Sequence, residues 1–250
     1  MSGDDDLDDR RGEIASACRV LAARGLAEGF LGHISLRIDE ERLLVRCRGP
    51  QERGLAWTRA EDIRLVTFDG EPGAEGELAD HSAPNELPLH TEVLRTRPEV
   101  NAVVHAHPPA VVAADLAGLG IRPIVGAFDI PGSKLAAGGV PVYPRSVLVR
   151  DRRLAAEMVS AMGQRPVVIL RGHGLTSTGE SVAEAVLRAV SVDQIARLSL
   201  TIASAGGQLQ SLPEEDMAEL PDLGGGFNLG TAWRHELARL GPPDRDASIC

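Results

Sequence analysis

The sequence predicts a layered α/β domain, and three observations predict it. Short apolar runs with strand-like alternation recur between segments of helical periodicity, the two kinds are mixed rather than segregated, and the 250 residues contain no Pro/Gly-rich break near the middle. A chain of this length buries a substantial core. One principal domain over residues 13–206 is therefore expected, with a flexible acidic N-terminus at 1–12 and a C-terminal extension at 207–250.

The first helix is expected from Glu13 to Gly29, where Ile14, Ala17, Cys18, Leu21, Ala22 and Leu26 recur with helical spacing and Gly29 and Gly32 mark the exit. Ser35–Ile38 and Leu43–Arg46 alternate around a polar turn and read as a hairpin, and Ile63–Phe68 reads as a further strand. Glycines, acidic residues and a proline between Asp69 and Asn85 indicate a surface turn leading into a helix from about Asn85 to Thr96. The apolar run Ala102–Val104 carries a strand into His105-Ala106-His107, and an alanine-rich helix follows over Pro109–Leu116. A glycine-punctuated region then reaches Tyr143. Beyond it come a helix at Arg152–Met162, a strand at Val167–Leu170, and a long helix at Glu180–Ala205. Ser177 stands three residues before Glu180, the spacing of a capping box for that helix. The tail has a glycine run at 224–226 and a possible short helix at Thr231–Leu240, and is expected to be loosely held or packed on a neighbouring subunit.

Composition excludes several classes. A net charge of -10 with dispersed Lys and Arg argues against nonspecific nucleic-acid binding, which rests on clustered cations. Cys18, Cys47 and Cys250 are odd in number and unpaired in spacing, which argues against a disulfide framework and suits a reducing compartment. The opening MSGDDDLDDRRG is acidic and lacks an apolar core, unlike a signal peptide, and no run reaches the roughly 18 apolar residues of a membrane span. A cytoplasmic enzyme without membrane or nucleic-acid partners is expected.

The chemistry concentrates on histidine. Strand side chains repeat every two residues, so His105 and His107 project to one face and can share one divalent ion. His173, between Gly172 and Gly174 after an apolar strand and before a helix, is the leading third ligand. Glu86 and His90 lie four apart and share a helix face, offering a carboxylate and a further ligand or supporting group. Three imidazoles and a carboxylate make a Lewis-acid site. His33, at the turn Gly32-His33-Ile34-Ser35, is a candidate for substrate contact, and Arg46, Arg48 and Arg53 flank a glycine turn suited to binding carboxylates.

Taken together, Gly32-His33-Ile34-Ser35, Ser82-Ala83-Pro84-Asn85-Glu86 with His90, the run from Arg97 to His107, and Arg171-Gly172-His173-Gly174 resemble the class II aldolase/adducin family, from about Glu13 to Ala205. The resemblance implies a three-layer α/β/α sandwich around a mostly antiparallel sheet, in a homotetramer with active sites between subunits. It also implies a divalent metal, commonly zinc with manganese, cobalt or iron as alternatives, on His105, His107 and His173, and Glu86 as acid/base. Asp129 and Tyr143 become candidates for reaching a neighbouring subunit's site.

Two departures steer the resemblance within the family. His33 replaces the asparagine of the usual Gly-Asn-x-Ser turn, and Arg48-Gly49-Pro50-Gln51-Glu52-Arg53-Gly54 replaces a Thr/Ser/Gly-rich phosphate turn. Val125–Phe128 also lacks the tyrosine that sugar-phosphate aldolases use. The Gly-His form of the turn, together with Arg46-Cys47-Arg48-Gly49-Pro50, resembles the branch that decarboxylates hydroxylated aromatic acids, with 3,4-dihydroxyphthalate as the expected substrate. That branch implies Glu86 or His33 as proton donor, Arg48 and Arg53 on the carboxylates, and Ser82 and His90 beside the substrate. Aldol or dehydratase chemistry on a sugar or sugar phosphate is the alternative. An iron-dependent, oxygen-using branch and a noncatalytic scaffold are further alternatives.

Overall fold

The computed structural model describes residues 3–241, so Cys250 and the end of the expected C-terminal extension lie outside the described residues. In chain order the elements are α1 (Gly3–Ala23), β1 (His33–Arg37), β2 (Arg42–Arg46), β3 (Ile63–Thr67), α2 (Leu87–Thr96), β4 (Ala102–Ala106) and α3 (Pro109–Leu116). They continue with α4 (Ile130–Ala136), β5 (Val142–Tyr143), α5 (Arg152–Met162), β6 (Val167–Leu170), β7 (Gly174–Gly179), α6 (Val182–Ser204), α7 (Glu214–Glu219) and α8 (Ala232–Ala238). The strands form one sheet in the order β3-β2-β1-β4-β7-β6-β5, antiparallel except for the β5–β6 pair.

The period of two sorts side chains between two cores. Ile34, Leu36, Leu44, Ala102, Val104 and Ala106 pack beneath α1, α3 and α6. Leu43, Val45, Val103, Val168 and Leu170 pack beneath α2 and α5 on the opposite face. Each fully buried Leu, Ile or Val stabilises the fold by roughly 1.5–3 kcal/mol. The same alternation places His33, Ser35 and His105 on the α2/α5 face, interleaved with residues of the other core. The result is the three-layer α/β/α sandwich with a mostly antiparallel sheet that the resemblance implied.

Several local expectations are corrected. Helix α1 starts at Gly3 rather than Glu13, so residues 3–12, expected to be flexible, extend it. Asp6 pairs with Arg10 one turn on, and Arg11 reaches across to Glu77 at 2.5 Å. The chain leaves the helix at Gly25, whose φ of 70° favours glycine. Strand β7 was not foreseen, because Gly174-Leu175-Thr176-Ser177-Thr178-Gly179 has no run of apolar residues; it forms because β4 and β6 satisfy both of its edges. Ser177 consequently lies inside β7, its hydroxyl donating to the Ala185 carbonyl. The cap of α6 is Ser181 instead, which accepts from the Glu184 N–H, while the Glu184 carboxylate accepts from the Glu180 N–H. Helix α4 and strand β5 emerge from the glycine-punctuated region, with the Asp129 side chain capping α4. In the tail, α8 docks on its own chain through Arg24 and Glu236 and through Trp233, Leu237 and Leu240 against the main core. Among the described residues, no helix is long and apolar enough to cross a membrane.

Candidate metal centre

Antiparallel pairing of β1, β4 and β7 assembles the centre. His33 and His105 are register partners across β1 and β4, and Ala106 pairs with Leu175 across β4 and β7. The C-terminal end of β4, with His105 in the strand and His107 just beyond it, therefore meets the start of β7, just after His173. His173 sits in the β6–β7 turn rather than before a helix, so the third histidine reaches the centre through a strand hairpin. Gly172 holds a φ of 60° there. At Gly174 a Cβ would lie 2.3 Å from the Ala106 carbonyl oxygen, so only glycine lets β4 approach this closely.

Glu86, His105, His107 and His173 each offer a ligand atom, and these atoms lie within 4.8 Å of one another. The Nε2 atoms of His105 and His107 are 2.8 Å apart. Glu86 Oε2 lies 3.2 Å from His105 Nε2 and 3.6 Å from His173 Nε2. His105 Nδ1 is 3.1 Å from the Leu175 carbonyl oxygen, which can only accept, so the ring proton sits on Nδ1 and Nε2 turns a lone pair to the cluster. That tautomer is the one a metal ligand requires. Burial, reinforced by the neighbouring histidines, lowers the pKa of His107 to about 3, and burial likewise lowers that of His173, which keeps both rings neutral at pH 7. Neutral imidazoles beside a carboxylate fit a divalent cation.

Glu86 occupies the N-cap position of α2 without a side-chain capping bond, so its carboxylate is directed by another partner. Its Oε1 accepts from the Val149 N–H at 2.9 Å, leaving Oε2 for the cluster. Burial pushes the carboxyl pKa up, but in the metal-free chain the adjoining His105 and His173 imidazoles and the Val149 N–H outweigh it and bring it down to about 2. The group is ionised at neutral pH.

His33 lies beside the cluster rather than in it, its ring centroid 5.0 Å from that of His105. Behind it, His90 is fully buried with both nitrogens engaged, one 2.6 Å from His33 Nδ1 and the other 2.8 Å from Ser35 Oγ. His90 therefore supports His33 from the protein side and does not itself face the open side of the centre. Arg46 points to the other face of the sheet, where it bonds Thr58 and Glu52, so it is removed from the carboxylate-binding group. Arg48 stacks on exposed Phe30 and Arg53 on exposed Trp57, with centroid distances of 5.5 and 5.2 Å. Among the described residues neither guanidinium has a hydrogen-bonded or ionic protein partner. Ser82 is exposed and bridges Arg48 through paired backbone hydrogen bonds of 2.9 Å, which ties the arginine loop to the segment leading into Glu86. Tyr143 is buried with its hydroxyl donated to Glu157 at 3.0 Å, and Asp129 is occupied as a helix cap, so within this chain both side chains serve structural contacts.

Sequence reading missed the groups that orient the centre. Ser35 could have been found, since it stands two residues from His33 and so shares its face. The Leu175 carbonyl and the Val149 N–H carry no side-chain signal.

Residues 12–200 match the family described as Class II Aldolase and Adducin N-terminal domain. The chain is 76% identical over 231 residues to a 3,4-dihydroxyphthalate decarboxylase of Arthrobacter keyseri, covering 92% of this chain and 93% of the relative. It is 56% identical over 235 residues to a 3,4-dihydroxyphthalate decarboxylase of Rhodococcus jostii strain RHA1, covering 94% and 97%. An aldolase II superfamily protein from Pseudomonas syringae superposes with a TM-score of 0.79 at 21% identity, covering 93% of this chain and 92% of that one, which shows a shared fold. Sequence, sheet topology and histidine placement therefore agree that the chain belongs to the class II aldolase/adducin family.

Proposed function

We propose that this chain is a divalent-metal-dependent carboxy-lyase acting on a hydroxylated aromatic diacid, specifically removing the 2-carboxylate of 3,4-dihydroxyphthalate to leave 3,4-dihydroxybenzoate and carbon dioxide. The observation that carries the reading is the 76% identity, over nearly the full length of both chains, to a protein of that name. The four-group cluster supplies matching chemistry. His105, His107 and His173 would hold the ion, for which zinc is the proposed identity; manganese, cobalt and iron accept the same donors. When bound there, a divalent ion supplies Lewis-acid polarisation of neighbouring substrate oxygens, drawing electron density from the carbon–carbon bond that breaks.

Glu86 is the proposed proton carrier. Its ionised Oε2 takes the proton of the ring 3-hydroxyl and delivers it to the adjacent ring carbon C2. The bond from C2 to its carboxylate then breaks, its electron pair restores the aromatic ring and returns charge to the 3-oxygen, and carbon dioxide leaves. Solvent reprotonates that oxygen. Arg48 and Arg53, free of protein carboxylates, are the proposed grips for substrate carboxylates, with Ser82 anchoring the Arg48 strand. His33 is the proposed contact to a substrate oxygen. Exposed Leu116, Phe128 and Phe227 support assembly into a homotetramer with sites near subunit boundaries, which light scattering tests directly. A cytoplasmic location completes the proposal.

The test is turnover. Zinc-reconstituted protein incubated with 3,4-dihydroxyphthalate is expected to release carbon dioxide and 3,4-dihydroxybenzoate in equal amounts, and His105→Ala protein neither. Absence of turnover by metal-loaded wild-type protein would overturn the substrate assignment and turn attention to sugar phosphates.

A further inference from the structure

The polar chain behind His33 has a direction set by hydrogen-bond accounting. Ser35 is fully buried, and its hydroxyl meets one partner among the described residues, His90 Nδ1 at 2.8 Å. Were His90 the donor in that contact, the serine proton would have no acceptor, and an unmade buried donor is costly. With Ser35 donating, every proton has a place: His90 carries its own on Nε2 and donates it to His33 Nδ1 across 2.6 Å. The His33 proton must then sit on Nε2. That nitrogen lies on the side of the ring away from His90, has no protein partner among the described residues, and belongs to a ring beside His105.

We propose that Ser35 and His90 are positioning residues that hold His33 in the Nε2-protonated tautomer, so that His33 presents a hydrogen-bond donor to a substrate oxygen and does not serve as a metal ligand. A protonated ring nitrogen has no lone pair for an ion, so the proximity of a fourth imidazole does not close the centre. The three-histidine set keeps a position for substrate. His33 thereby binds and polarises an anionic oxygen while Glu86 carries the proton. This assignment rests on the proposed decarboxylase reading for the identity of the substrate, but not for the tautomer.

The experiment separates the two. In zinc-loaded, full-length protein labelled with 15N-histidine, long-range proton–nitrogen correlation spectra report each ring's tautomer. His33 is expected to show a pyrrole-type Nε2 and a pyridine-type Nδ1, and the reverse pattern, or a zinc-bound Nε2, would overturn the proposal. Ser35→Ala is expected to mix the His33 tautomers and lower kcat about tenfold, as loss of one buried hydrogen bond implies, with KM and zinc content little changed. Ser35→Thr, which keeps the hydroxyl, is expected to restore both. An unaltered tautomer in Ser35→Ala protein would also count against the role assigned to Ser35. Inactivity of the wild type toward 3,4-dihydroxyphthalate would sink the substrate reading alone, since the spectra decide the tautomer without turnover.

Discussion

Glu86 combines three constraints in one side chain: a helix-capping position, a hydrogen bond from the Val149 N–H, and a free oxygen aimed at two imidazoles. Glu86→Gln preserves shape but removes the proposed proton carrier, so kcat is expected to fall by a factor on the order of 10² to 10⁴. His105→Ala is expected to lose the metal itself. Metal analysis beside steady-state kinetics distinguishes these outcomes, because the Gln variant should retain its ion while losing turnover. The same carboxylate makes a pH prediction for metal-stripped protein. Its folded pKa of about 2 lies below the ordinary 4.5, so the unfolded chain takes up the proton first as pH falls. The stabilisation is complete above 4.5 and is lost as pH falls toward about 2. Denaturant melts of wild type and Glu86→Gln should therefore differ most near neutrality and converge through that acid window. A constant difference across it would remove Glu86 from the acid limb.

At the scale of elements, the centre depends on how closely two strands approach. The start of β7 passes so near the end of β4 that a Cβ at Gly174 would collide with the Ala106 carbonyl, between His105 and His107. Gly174→Ala must push β4 aside, and a displacement there moves His105 and His107 together. Overpacking of this kind costs roughly 1–3 kcal/mol. The expected result is a loss of stability with a disproportionate loss of metal affinity, read by denaturant melts and by competition with a chelator. Gly172 accommodates the left-handed turn that returns the chain into β7, so these two glycines shape opposite sides of the His173 turn.

At the scale of the whole molecule, α8 packs back on the end of the N-terminal helix. Glu236 of α8 is almost fully buried, and Arg24 at the end of α1 reaches it with a bond of 2.6 Å. Removing one partner of a fully buried pair costs about 3–5 kcal/mol. Arg24 is 28% exposed and Arg239 lies 3.9 Å from the same carboxylate, so the Arg24→Ala penalty should fall below that range. Hydrogen exchange is expected to rise first in residues 232–238, while strands β1, β4 and β7 stay protected. Uniform acceleration across the sheet would instead make α8 an integral part of the main folding unit.

Much of the site was legible because strand geometry is periodic. His105 and His107 share a face by the rule of two, the same rule joins His33 with Ser35, and apolar alternation marked most of the strands that carry them. The sequence by itself thus determined the α/β class and the ligand candidates. Only the tertiary structure decided that His173 arrives on a strand hairpin, that Ser181 rather than Ser177 caps α6, and that Arg46 belongs to the opposite face. Strand β7 was invisible because, apart from buried Leu175, its glycines and hydroxyl residues show no apolar alternation, and hydrogen bonds to neighbours on both sides define it. The orientation of His105 and Glu86 was hidden for the same reason: the Leu175 carbonyl and the Val149 N–H are backbone groups without a side-chain signal, and only folding says which of them meets a side chain of the candidate centre.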